Sequence, residues 1–145
     1  MKLFLLTLVL IVVVGVGYFS IRLETPHGAF ERHFGSGGSG SVSQIAVFGR
    51  AALAGSDEVL TFSIADEDLK AILKQRGFSE VTQLVKDKRN TGISASEWDK
   101  EIENAESLGI KGSEFYEIVE FDGLVRYVLI SDQKTDRVYY HYFKT

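Results

Sequence analysis

Apolar positions follow different periods along the chain, and each period predicts a different kind of element. Leu3 to Ile21 runs nineteen residues without a charge and is closed by Lys2 and Arg22. A helix of that length rises about 28 Å, close to the ~30 Å hydrocarbon thickness of a bilayer. Tyr18 and Phe19 fall near its far end, where amphipathic rings favour the membrane interface. The pattern predicts a transmembrane signal-anchor helix over 1–21, a juxtamembrane stalk with a Gly/Ser linker over 22–41, and a soluble domain over 42–145. The rival is a cleaved signal peptide that releases a secreted domain. It asks for a shorter apolar core and a small-residue cleavage site. Here the run continues through Ile21 with no A-x-A pattern.

The stalk holds Pro26 and two of the three histidines, His27 and His33, and ends in GSGGSGS from Gly35 to Ser41, a flexible coil by composition. Val42 to Ala54 is ambiguous. Ser43 suits a helix cap, with Ile45, Phe48, Ala52 and Leu53 as the buried positions and Gly55 as terminator; a strand through Ile45 and Val47 is the alternative. Helix is the expectation, although Gly49 costs it about 1 kcal/mol relative to Ala.

From there the periods separate cleanly. Glu58 to Ile64 alternates with period two and predicts a half-buried strand. Asp66 to Arg76 predicts a helix: three acids crowd its first turn, Leu69, Ile72 and Leu73 form its stripe, and Gly77 and Phe78 fit a Schellman closure. Ser79 to Lys88 reads as a short helix burying Val81, Leu84 and Val85. In the third helix Ser94 and Glu97 make a capping box, Ile93 and Trp98 the hydrophobic staple, and Gly109 the terminator. Its inward stripe is Trp98, Ile102 and Ala105.

The last third reads as a β-meander. Asp122-Gly123 is the two-residue signal for a type I′ hairpin turn. That turn sets Val119 opposite Arg126, Ile118 opposite Tyr127 and Tyr116 opposite Leu129. Tyr116, Ile118, Val125, Tyr127 and Leu129 make the more apolar face and are assigned to the core. Glu117 and Arg126 then meet diagonally on the other face. Arg137 to Phe143 returns as the final strand. The fold expected is α+β: about three helices gathered on one side of a mainly antiparallel four-stranded sheet.

Charge narrows the partners. The segment from Val42 carries 13 Lys or Arg against 18 Asp or Glu, a formal charge of −5. Nucleic acid needs a basic face, so it is not an expected ligand. With no cysteine there is no disulfide and no thiolate metal site.

Candidate chemistry is thin. The run Tyr139-Tyr140-His141-Tyr142 places Tyr139 and His141 on one face of the last strand, a recognition surface if that face is open. His141 as a general base needs a nucleophile within reach, and no serine sits in a nucleophile-elbow motif. Asp66-Glu67-Asp68 lacks the spacing of a calcium loop. Asp99, Glu103 and Glu106 line one helical face, a solvated face or an acidic patch for a basic partner. The glycines match no phosphate-binding fingerprint. No catalytic residue, metal or cofactor is expected, and the partner surface is sought among Tyr139, His141, Glu117, Arg126, Asp99, Glu103 and Glu106.

The plan of anchor, flexible stalk and small α+β domain is similar in organisation to small bacterial envelope proteins, without a specific motif. The flexible tether raises local concentration near a membrane-bound partner without fixing orientation. It leads to the expectation of a membrane-tethered, non-catalytic module of the cell envelope that binds a protein partner, of the inhibitor or immunity type or an assembly accessory. A long domain crosses largely regardless of charge, so it is expected outside the cytoplasm. The alternatives are an enzyme with a cleft between helices and sheet, and the same domain facing the cytoplasm.

Overall fold

The computed structural model describes residues 25–36, 40–48 and 57–144. In chain order the elements are α1 (Pro26–Phe34), β1 (Ser43–Phe48), β2 (Glu58–Ser63), α2 (Asp66–Arg76), β3 (Ser79–Glu80), α3 (Thr82–Lys86), α4 (Ala95–Ser107), β4 (Glu114–Glu120), β5 (Val125–Asp132) and β6 (Arg137–Lys144). The fold is α+β. Its sheet has six strands in the order β1-β2-β6-β5-β4-β3, and every pairing is antiparallel. The expected anchor over 3–21 lies outside the described residues. Among those described, no helix is long and apolar enough to cross a membrane.

Helices cover both faces of the sheet, which corrects the expectation of a one-sided, four-stranded layer. On one face α1 and α2 bring Ala29, Phe30, Phe34, Leu69, Ile72 and Leu73 onto Leu60, Phe62, Tyr116, Leu129, Val138 and Tyr140. On the other, Val81 just before α3, Val85 of α3, and Trp98 and Ala105 of α4 pack onto Phe115, Val128, Ile130 and Tyr139. The sequence carries this in its unbroken runs. Val128-Leu129-Ile130 and Val138-Tyr139-Tyr140 are buried residue after residue, as happens when a strand is covered on both sides.

Residues Pro26–Phe34, expected as stalk, form a helix that belongs to the core. Thr25 caps it by accepting from the Gly28 N–H at 3.1 Å, and Pro26 occupies a first-turn position where a missing N–H costs nothing. Phe30 is fully buried, edge-on to Phe62 with ring centroids 5.0 Å apart. His33, one turn later, lies over Tyr142 at 5.4 Å and bonds Glu58. Phe62 pairs with Val138, whereas Glu58 pairs with Tyr142 at the other end of β2. α1 is therefore directed toward the end of the sheet that carries the β4–β5 turn.

Ser43–Phe48 is a strand and not the start of a helix. Pairing against β2 (Val47 with Leu60, Phe48 with Val59) supplies partners for the β-branched and aromatic side chains, and Gly49 weakens the helical alternative. Gln44, at φ 53°, sits within the register shift of this edge strand. Residues 49–54 of that expected helix lie outside the described residues. The expected helix over 79–88 also divides: Ser79 and Glu80 pair with Glu117 and Tyr116, leaving α3 only Thr82–Lys86.

The other local signals hold. Gly77 adopts φ 77°, and the Phe78 N–H reaches the Leu73 carbonyl at 3.0 Å, closing α2 as a Schellman motif. The capping box of α4 is complete, with Ile93 and Trp98 both buried as its staple. The β4–β5 register is the one expected from Asp122-Gly123.

Candidate functional site

Two histidine–carboxylate–tyrosine groups flank β6, one on each face, the first buried and the second buried except at His141, which is half-buried. On the α1 side, Nε2 of His33 lies 2.7 Å from Glu58 and Nδ1 lies 3.0 Å from the Tyr140 hydroxyl. Arg32 adds an ion pair to Glu58 at 2.8 Å. With Glu58 ionised, one arrangement satisfies all three groups: Nε2–H donates to the carboxylate, and the Tyr140 O–H donates to Nδ1. Burial of the ring holds His33 below the ordinary histidine range, against the pull of Glu58. Burial likewise pushes the Tyr140 phenol far up.

On the α4 side, Glu101 accepts from the Tyr139 hydroxyl at 2.7 Å and from His141 Nδ1 at 2.9 Å. Burial, and then the Glu101 charge, raise the Tyr139 phenol. His141 Nε2 has no hydrogen-bond partner among the described residues. Phe143 lies against its ring at a tilt, with centroids 4.8 Å apart.

Neither group lines the small cavity bounded by Ile64, Asp66, Leu69, Asp132, Arg137 and Val138, which measures about 10 Å³, room for one water. Among the described residues no three metal-ligating side chains are placed to hold a cation.

The residues expected at a partner surface are dispersed. Tyr139 is fully buried beneath α4, so the face it shares with His141 is closed there, not open. Glu117 is buried too. It accepts from the Gly92 N–H at 2.8 Å and from the Thr91 hydroxyl, and does not meet Arg126. Arg126 instead pairs with Glu97. Asp99 pairs with Lys88 of the α3–α4 loop, while Glu103 and Glu106 are solvated.

What stands out from the surface is the β4–β5 turn. Phe121 is 72% exposed and Leu124 55%, with Val119 beside them, and Phe48 ends β1 at the same end of the sheet. The Leu124 N–H closes the turn on the Phe121 carbonyl at 3.1 Å, with Asp122 at φ 54° and Gly123 at φ 91° as a type I′ turn requires. Phe121 itself is at φ 53°, in the left-handed region that bulky residues avoid. A brace holds it there. Arg126 Nε donates to the Gly123 carbonyl at 3.0 Å, its guanidinium pairs with Glu97 of the capping box, and it lies over the Phe143 ring at 5.7 Å. The Ser94 hydroxyl, first, and then Arg126 hold the Glu97 carboxyl below its ordinary range.

Sequence reasoning passed over Phe121 and Leu124, although two apolar residues bracketing Asp-Gly were legible. It also passed over Glu101, an acid three residues after Trp98 on the inward stripe. The His33–Glu58–Tyr140 group spans 107 residues of chain and left no local signal.

No family model matches the chain, and no curated protein or solved structure is found to be similar to it.

Proposed function

We propose that this protein is a single-pass, membrane-tethered, non-catalytic interaction module of the cell envelope, presenting its domain outside the cytoplasm to a protein partner. The observation that carries the reading is Phe121, an aromatic side chain held in solvent by a strained backbone and a braced turn. Strain of this kind costs on the order of 1–3 kcal/mol and persists where the surroundings enforce it, commonly at ligand contacts. The histidine groups tie α1 and α4 to the sheet through their hydrogen bonds, which gives them a structural role in the domain that carries the turn.

The docked α1 changes how the tether works. If the span ends at Ile21, four steps of chain reach Thr25, at most about 15 Å even when extended. The domain then sits close over the membrane, and the Gly/Ser stretch joins α1 to β1 inside the fold instead of separating anchor from domain. Photo-crosslinking of the full chain in its own membranes tests this. A defined protein neighbour supports the module, and its absence at native abundance overturns it.

A second reading, a ligand or catalytic role at His141, is favoured by one observation: Glu101 fixes Nδ1 while Nε2 lacks a partner among the described residues. His141→Gln separates the two, since it should leave crosslinking unchanged if the module reading holds.

A further inference from the structure

We infer that the β4–β5 tip is a docking knob for a pocket on the partner protein that is apolar at its floor and basic at its rim; this rests on the interaction-module reading above. The apolar centre is Phe121 and Leu124, with Val119 on the flank. Glu120 and Asp122, both exposed, stand on either side of Phe121. Arg126 is already engaged by Glu97 and the Gly123 carbonyl, and Lys144 pairs with Val125 on the β5 side of the tip. The tip thus offers an apolar knob with two acids beside Phe121, on a domain of formal charge −5. A complementary site excludes water around the ring and answers the two acids with Lys or Arg.

Charge argues against the other occupants. An anionic lipid surface repels the two acids. α1 is directed toward the tip, so Pro26 at its start lies on the side away from the tip. A symmetric contact between two copies sets like charges against each other. The brace fixes the knob before contact, so little ordering remains on binding.

The test places a photoreactive phenylalanine at position 121, 124 or 134 of the full chain, in membranes of cells that make it. Position 134 lies in the β5–β6 turn at the opposite end. The expected result is one protein adduct from 121 and 124 and none from 134, mapped to an apolar segment flanked by Lys or Arg. The adduct should fall roughly tenfold in the Glu120→Lys, Asp122→Lys variant and weaken in high salt. Lipid adducts, adducts to a second copy, or equal capture from 134 overturn the inference. If position 103 on α4 traps a protein while the tip traps none, the tip assignment falls and the module stands. If no position traps a protein, both fall.

Discussion

The Tyr140 hydroxyl stands 3.0 Å from Nδ1 of His33 and joins the last strand to the first helix across 107 residues. Both groups are buried, so each is the other's means of satisfying a polar atom. Tyr140→Phe leaves Nδ1 without its donor and should cost about 1–3 kcal/mol, read as a lower urea midpoint with an unchanged m-value. A midpoint that does not move contradicts this assignment of the ring.

The same ring makes stability depend on pH. His33 is held below its ordinary value in the folded state, so the unfolded chain binds the extra proton more readily. Its contribution is complete above about pH 6.5 and is lost as pH falls toward the folded-state value. The groups facing it are Glu58, Arg32 and Arg76 as charges and Tyr140 and Tyr142 as rings. Urea midpoints at pH 7.5, 6.5 and 5.5 should fall with acid in the native chain. They should fall less in His33→Gln, and equal slopes refute the idea.

α1 is part of the folded unit, which sets where the chain can be cut. A chain beginning at residue 23 keeps Ala29, Phe30, His33 and Phe34 and should fold cooperatively. One beginning at residue 35 removes all four from the core and should be unfolded or aggregated. Phe30→Ala in the full chain should cost about 3–5 kcal/mol, because the ring is fully enclosed. Circular dichroism and urea melts distinguish these outcomes, and a stable 35–145 chain would show that α1 is dispensable.

Arg126 links the turn to the capping box of α4. Arg126→Ala should release the Gly123 carbonyl and Glu97 together. Amide exchange at residues 121–124 should speed up severalfold while that of the α2 amides stays the same. Uniform acceleration in both regions would mean global destabilisation and no local brace.

The parts of this structure readable from the sequence are those fixed by neighbours in the chain. Gly77 after Leu73, Ser94 before Glu97 and the Asp122-Gly123 pair each act within a few residues, and each gave the right cap or register. Elements decided by distant packing did not announce themselves. Ser43–Phe48 is a strand because β2 pairs with it, and Pro26–Phe34 is a helix whose worth lies in the far-off Phe62 and Tyr140. The two-sided sheet was written in the run from Val128 to Ile130, but period two within β4 and β5 drew attention to one face only. The candidate site suffered in the same way: closure of the Tyr139 face by Glu101 is a long-range event, whereas exposure of Phe121 followed from its place beside the turn.

The proposed function requires that Phe121 be kept for a partner at the expense of the fold. Phe121→Gly tests it most directly, because glycine accepts φ 53° without strain and removes the knob. Two quantities are measured on this one variant: the urea midpoint, and protein crosslinking from position 124 in membranes. The expected result is a midpoint equal to or above that of the native chain, with crosslinking reduced roughly tenfold. A lowered midpoint with crosslinking intact would contradict it, making Phe121 a structural residue of the turn.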